Sequence, residues 1–191
     1  QLAPFTLIGA TTRTGLLTSA LRDRFGIPLR LDYYEIADLE TIAKRTANII
    51  GCIIDDMAAQ EIARRSRRTP RIVNRLVKRV LDFAIVMKKG SIDLDIARYA
   101  LDRLHIDSLG LDDMDRKILT TIIDKYDGGP VGIKTIAISI GEEITTLEDF
   151  YEPYLVQIGM LKRTPRGRVA ARLAYEHLQL PYKGMDESSL F

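Results

Sequence analysis

The chain has 191 residues, of which 46% are hydrophobic and 28% are charged, as in ordinary globular proteins of one to three small domains. No apolar run reaches the roughly 18 residues that span a bilayer, and no signal-peptide pattern is present, which argues against a membrane protein. The single cysteine, Cys52, cannot form an internal disulfide, so the sequence favours a cytoplasmic protein.

The first 33 residues are predicted to be the end of an α/β domain. Residues 4–10 have the pattern of a buried strand, a short helix is expected over residues 21–25, and residues 27–31 have a second strand pattern. Thr11 and Thr12 follow the first strand at its carboxyl end, where ligands of α/β sheets usually lie. Two strands and one short helix do not make a domain, so we expect a larger α/β domain of which this is the tail.

Residues 34–107 are predicted to form a small domain of four helices. Asp38 is expected to cap the first helix and Asp55 or Asp56 the second, since carboxylates accept hydrogen bonds from free N–H groups at helix starts. Pro70 suits the first turn of the third helix. The fourth helix precedes a short connector.

Residues 108–184 are predicted to form three helices and a β-hairpin, the order of elements in a winged helix-turn-helix domain. The third helix, over residues 145–159, contains Pro153, which should kink it or free a carbonyl. The hairpin, over residues 161–169, places four cations around a Pro/Gly turn. Residues 185–191 are expected to be a loosely ordered tail.

The hairpin concentrates the positive charge of an otherwise acidic region. Residues 108–191 carry ten Lys/Arg and 13 Asp/Glu, yet five of the ten cations lie between Lys162 and Arg172. Focused charge of this kind suits docking onto a nucleic-acid backbone, although an exposed loop without a partner would have the same composition.

The predicted third helix of this domain is unsuited to reading bases. It carries Glu148, Asp149 and Glu152, which phosphates would repel and which offer little to guanine. We therefore expect contact with the DNA backbone by the hairpin alone.

Other charged residues allow two interpretations each. Arg22 and Arg24 form either a solvated face or an arginine finger that reaches a neighbouring γ-phosphate. Five arginines between residues 64 and 71 form either a solvent-facing run or an anion site before a helix start. His105 and His177 have no partners at metal-ligand spacing, so no metal site is predicted.

These motifs together resemble the RuvB family, the bacterial Holliday-junction branch-migration motors of the AAA+ class. Residues 6–13 (TLIGATTR) resemble its sensor-1 strand, residues 21–26 (LRDRFG) its arginine-finger segment, and residues 69–76 (TPRIVNRL) its sensor-2 helix. The segments that resemble its winged-helix domain are 114–117 (MDRK), 128–132 (GGPVG), 141–143 (GEE) and 163–168 (RTPRGR). The match covers about residues 3–184.

The resemblance implies a mainly helical fold in three parts. Residues 1–33 would end the large AAA+ ATPase domain, residues 34–107 would be the helical lid, and residues 108–184 would be the winged-helix domain.

The resemblance also implies residue roles. Arg24, with Arg22 as second choice, would be the trans-acting finger. The nucleotide-binding residues would be Tyr34, Arg71, Thr11 and Thr12, and the DNA-binding residues would be Arg163, Arg166 and Arg168.

The implied activity is ATP-dependent translocation of duplex DNA that drives branch migration in recombination and repair. The implied partners are the duplex arms of a Holliday junction, a homo-hexamer and a junction-binding protein of the RuvA type. No Walker A loop occurs in the chain, so ATP and Mg²⁺ would be bound mainly by an upstream region, and the chain alone is expected to be inactive.

Arg68 stands where the family usually has glycine before Thr-Pro-Arg, which affects the expected turn into the sensor-2 helix.

A non-catalytic winged-helix DNA-binding regulator is the alternative from another class. Sequence-specific binding by a complete gene product that starts near Gln1 would distinguish it. A clamp-loader-like AAA+ subunit is a weaker alternative.

Overall fold

A computed structural model describes residues 3–11, 15 and 17–182 of the chain. The chain divides into two compact units, Gln1–Asp32 and Tyr33–Phe191. Among the described residues, no helix is both long enough and apolar enough to cross a membrane.

The described part of the first unit holds one short helix, α1 (Ser19–Arg22), in which the Thr18 hydroxyl accepts a hydrogen bond from the Leu21 N–H at 3.3 Å. The two predicted strands are wrong: residues 4–10 and 27–31 form no strand, and their side chains are exposed. A strand needs a neighbour for its backbone groups and its apolar face, and the described part of this unit offers neither.

The four predicted helices of residues 34–107 are confirmed. They are α2 (Ile36–Ile49), α3 (Asp56–Arg64), α4 (Pro70–Val86) and α5 (Leu94–Arg103). Strands β1 (Ile53–Ile54) and β2 (Ser91–Ile92) pair in parallel beside them.

The caps of these helices are partly as predicted. Asp55 caps α3 through the Ala58 N–H at 2.6 Å. The prediction for Asp38 is wrong, because Glu35 is the N-cap residue of α2 and Asp38 lies in its first turn. A carboxylate there still favours the helix through the dipole.

The following domain begins with α6 (Asp113–Lys125) and α7 (Ile133–Ile140). The predicted third helix consists of α8 (Ile144–Thr146), a π-helical turn (Leu147–Tyr151) and α9 (Glu152–Gln157). The π-helical turn gives way to α9 just before Pro153, whose missing N–H cannot continue a regular helix from the preceding turn. The predicted interruption is therefore confirmed.

The hairpin is confirmed as β3 (Leu161–Thr164) and β4 (Gly167–Ala170), which are antiparallel and joined by a two-residue turn. The helix α10 (Arg172–His177) follows and was not predicted. At six residues it is too short to give a periodic pattern in the sequence.

Two apolar cores stabilise the second unit. One lies among α2 to α5 and the other among α6, α7, α9 and the hairpin. Their fully buried large side chains include Leu39, Ile62, Val73, Leu76, Leu101, Leu111, Leu119, Ile122, Ile136, Leu147 and Leu155.

Candidate phosphate-contacting surfaces

The arginines between residues 64 and 71 separate into two groups that the sequence did not distinguish. Arg64, Arg68 and Arg71 are exposed, whereas Arg65 and Arg67 are buried. The Arg65 guanidinium donates hydrogen bonds to Glu61, Asp102 and the Ile106 carbonyl at 2.7 to 3.0 Å. The run is therefore neither a uniform solvated face nor a uniform anion site.

Arg67 joins the four-helix domain to the domain that follows it. Its side chain is only 8% exposed, and its Nε donates to the Gly110 carbonyl at 2.8 Å. One terminal nitrogen donates to Asp112 at 3.0 Å and also to Asp115, both at the start of α6. The guanidinium carbon lies 5.4 Å from the ring centre of Tyr154, within cation–π range. Arg67 thus inserts into the second domain.

Asp115 is fully buried and belongs to a capping box at the start of α6. Its Oδ2 accepts from the Asp112 N–H at 2.9 Å and from Arg67, whereas within residues 17–182 its Oδ1 has no hydrogen-bond partner. Burial raises the pKa of the Asp115 carboxyl from its ordinary 3.8 to about 7, although the positive charge of Arg67 opposes that rise.

This pKa shift predicts a pH-dependent contribution to stability. Because the folded state holds the Asp115 proton more tightly than the unfolded chain, the contribution is complete below pH 3.8 and is lost progressively up to about pH 7. The difference in unfolding free energy between the wild type and Asp115→Asn should therefore fall as the pH rises towards about 7, measured by urea unfolding. A difference that grows with pH would show that Asp115 is ionised throughout.

An exposed cationic surface lies at the start of α4 and carries Arg68 and Arg71. No acidic residue occupies the first turn of α4, and the Thr69 hydroxyl donates to the Arg67 carbonyl at 2.9 Å instead of capping the helix. The positive end of the helix dipole thus coincides with two exposed guanidinium groups. Such an arrangement favours an anion.

The backbone around Arg68 fits the glycine that the resemblance implies at this position. Arg68 has a φ of 52°, in the left-handed region where a Cβ is strained, so the turn that glycine favours forms here with arginine. The Tyr34 N–H donates to the Arg68 carbonyl at 3.4 Å, and the Tyr34 ring is about half exposed. Tyr34 therefore lies beside the segment that leads to Arg71.

In the first unit, the candidate residues Thr11, Arg22 and Arg24 are all exposed. Arg22 ends α1, and the Arg24 N–H donates to the Leu21 carbonyl at 3.2 Å in the turn that follows. Thr12 lies outside the described residues.

The hairpin places its cations unequally. Lys162, Arg163 and Arg166 are exposed, but the Arg168 side chain is only 14% exposed. Its guanidinium donates to Glu148 at 3.2 Å and to Glu152 at 3.1 and 3.2 Å. Arg163, 61% exposed, forms an ion pair with Glu152 at 2.8 Å. Two acidic residues of the predicted third helix, Glu148 and Glu152, therefore form ion pairs with hairpin cations.

Glycines allow the chain before α7 to approach the hairpin. Val131 and Arg168 exchange backbone hydrogen bonds of 2.8 and 2.9 Å. Gly167 has a φ of 143°, and a Cβ there would lie 2.5 Å from the Val131 carbonyl oxygen. The start of β4, next to the turn, is thereby fixed to the segment before α7.

Within the described part of the chain, no three His, Cys, Asp or Glu side chains are grouped so that they could hold a metal ion. His105 and His177 instead contact single carboxylates near the connector, Asp113 at 2.7 Å and Asp107 at 2.8 Å.

Three family models match successive parts of the chain. The model of the RuvB AAA lid domain matches residues 34–107, and that of the RuvB C-terminal winged helix domain matches residues 108–179. The model of the Holliday junction DNA helicase RuvB P-loop domain matches residues 1–31.

The chain belongs to the RuvB family. It is similar to the Holliday junction branch migration complex subunit RuvB of Nitratidesulfovibrio vulgaris strain DP4, with 60% identity over 177 residues, which are 93% of this chain and 55% of that protein. The subunit of the same name from Myxococcus xanthus is 57% identical over 191 residues, which are 100% of this chain and 56% of that protein.

Solved RuvB structures have the same fold. The Thermotoga maritima RuvB Holliday junction branch migration motor matches with a TM-score of 0.88 and 54% identity, over 93% of this chain and 60% of that one. A second structure of Thermotoga maritima RuvB, a mutant, gives a TM-score of 0.88 and 53% identity, over 93% of this chain and 59% of that one. The chain therefore spans little more than half the length of these relatives.

Two residues of this chain matter more than the sequence indicated. Arg67 was one member of a charge run in the sequence, and its buried contacts with Gly110 and Asp115 distinguish it in the structure. Glu152 was interpreted as repulsive to DNA. The four-residue spacing from Glu148 to Glu152, which can place both carboxylates on one face, was the available signal.

Proposed function

We propose that this chain supplies the phosphate sensors, the lid and the DNA-holding domain of an ATP-driven motor that moves the duplex arms of a Holliday junction. The named relatives, which are branch migration complex subunits, support this proposal. The observation that carries it is the continuity of the second unit: an exposed cationic helix start on the lid and an exposed cationic hairpin belong to one compact unit, joined by Arg67.

On the nucleotide side, ATP with Mg²⁺ supplies a γ-phosphate whose transfer to water drives movement. Arg71, at the uncapped start of α4, would contact its phosphates, and Tyr34 would pack beside the nucleotide. Thr11 and Thr12 would form the sensor-1 contact. The Walker A and B residues would belong to the P-loop segment that the relatives have, so the chain alone would not hydrolyse ATP.

Arg24 would act on the nucleotide of a neighbouring subunit, with Arg22 as second choice. A guanidinium aimed at the γ-phosphate stabilises the negative charge that develops in phosphoryl transfer. The exposure of Arg24 beyond the end of α1 is compatible with this role. A finger that acts in trans requires an oligomer, and we propose the homo-hexamer.

On the DNA side, Arg163 and Arg166 would contact duplex phosphates from the hairpin. Arg168, for which the resemblance implied a phosphate contact, is largely buried and would support them instead. Phosphate contacts hold the duplex without reading its sequence, which suits a motor that must pass over every sequence. A junction-binding protein of the RuvA type would bring the motor to the four-way junction in the cytoplasm.

The DNA side can be tested with Arg163→Ala in the 191-residue chain. Because a phosphate contact is lost, affinity should fall equally for duplexes of different sequence, and the slope of log affinity against log salt should become shallower by about one. Fluorescence anisotropy with short labelled duplexes measures both quantities.

Arg172→Ala is the matched control for that test. It removes one exposed cation of the same domain that lies at the start of α10, outside the hairpin strands and their turn. The control should change affinity little. A loss at Arg163 that depends on the base sequence would contradict the proposed backbone contact.

A further inference from the structure

We infer that Glu152 is a positioning residue for DNA binding: its buried carboxylate holds Arg163 in the orientation in which it meets a phosphate, with Arg168 as the internal support. This inference rests on the proposed function of the hairpin. The acidic helix beside the hairpin would then help to bind DNA by orienting Arg163.

The strand register creates the need for such a carboxylate. Arg163 and Arg168 are directly opposite each other in the antiparallel hairpin, so their side chains leave the same face. Like charges in that arrangement repel and would splay the two guanidinium groups. Glu152 contacts both of them, at 2.8 Å from Arg163 and 3.1 Å from Arg168.

Burial restrains the position of the Glu152 carboxylate. The Glu152 side chain is only 4% exposed and lies where the π-helical turn passes into α9. The π-helical turn from Leu147 to Tyr151 includes Glu148, which also contacts Arg168. Arg168 is thus held by two carboxylates and is largely buried, which suits a support better than a DNA contact.

Arg163 has the opposite character. Its contact with Glu152 uses Nε, the inner nitrogen, while 61% of the side chain stays exposed. A guanidinium held through its inner edge can present its two terminal nitrogens outward, in the fork that matches phosphate oxygens. Because the carboxylate already restrains Arg163, the side chain would lose less conformational entropy when it binds DNA.

Glu152→Gln distinguishes a positioning role from a simple charge effect, because the two predict opposite changes in duplex affinity. Removal of one negative charge would, by itself, strengthen binding to duplex DNA and steepen the salt dependence. Loss of the orientation of Arg163 should instead weaken binding about tenfold and make the salt slope shallower by about one. We expect weaker binding and the shallower slope, measured by anisotropy with a labelled duplex at several salt concentrations.

Glu143→Gln is the matched control, because it removes the same charge from an exposed side chain of the same domain. It should bind duplex at least as tightly as the wild type. In a double-mutant cycle, Arg163→Ala should cost much less affinity in the Glu152→Gln background than in the wild type.

Glu152→Asp keeps the test decisive if thermal unfolding shows that the Gln variant is not folded. It preserves the charge but retracts the carboxylate by one methylene, so weaker binding is again expected. Tighter binding by Glu152→Gln with an additive Arg163→Ala effect, or unchanged affinity of Glu152→Asp, would overturn the inference. No duplex binding by the wild-type chain would instead overturn the proposed function itself.

Discussion

Arg67→Met is expected to lower the unfolding free energy of the second unit by about 3–5 kcal/mol at pH 8, the loss found when one partner of a buried ion pair is removed. Asp115, which is fully buried, would then lack the cation that compensates its charge, and the Gly110 carbonyl would lose a hydrogen bond. Methionine retains much of the apolar volume, so the loss would come from the broken hydrogen bonds and, above the raised pKa of Asp115, from its uncompensated charge. Urea unfolding followed by circular dichroism measures it.

The pH dependence separates this explanation from a packing defect. At pH 5, below the raised pKa of Asp115, the carboxyl is protonated and needs the cation less, so the loss should be smaller than at pH 8. Adding Asp115→Asn to Arg67→Met should recover part of the stability at pH 8. Arg64→Met, at an exposed position of the same run, is the matched control and should change stability little. An equal loss at both pH values would contradict the ion-pair explanation.

Arg24→Ala is expected to reduce ATP turnover about 10³-fold or more in a polypeptide that joins this chain to the P-loop segment of its relatives. The loss should appear in kcat while nucleotide binding is retained, because the finger stabilises charge that develops only during the reaction. Steady-state ATPase assays and binding of a fluorescent nucleotide measure these two quantities.

Two comparisons decide which arginine is the finger and whether it acts in trans. Arg22→Ala should have the smaller effect if Arg24 is the finger, and Arg30→Ala, at an exposed arginine paired with Asp32, should leave turnover unchanged. Mixing Arg24→Ala with a variant that lacks the Walker A lysine should restore part of the activity. Absence of rescue at every mixing ratio would contradict action in trans.

The helical parts of the fold were predictable from the sequence because local signals agree there. Asp55 and Pro70 mark helix starts that the structure confirms, and the Pro/Gly turn after Thr164 marks the hairpin. These signals act within a few residues, so a single sequence contains them in full.

The strands predicted over residues 4–10 and 27–31 are wrong because strand formation does not depend on local signals alone. Apolar alternation shows that a segment can form a strand, but pairing depends on a partner that need not lie nearby in sequence. The role of Arg67 depends on contacts with Gly110 and Asp115, 43 and 48 positions away, which no spacing rule connects. The contacts of Glu152 with Arg163 and Arg168 were not predictable for a related reason, because they depend on tertiary structure.

The most direct test is the duplex affinity of the wild-type 191-residue chain, measured with several unrelated sequences over a series of salt concentrations. It shows whether the hairpin holds DNA through the phosphate backbone of the duplex. We predict similar affinities for all sequences and a linear fall of log affinity with log salt. Absence of binding, or a strong preference for one sequence that persists at high salt, would contradict the account.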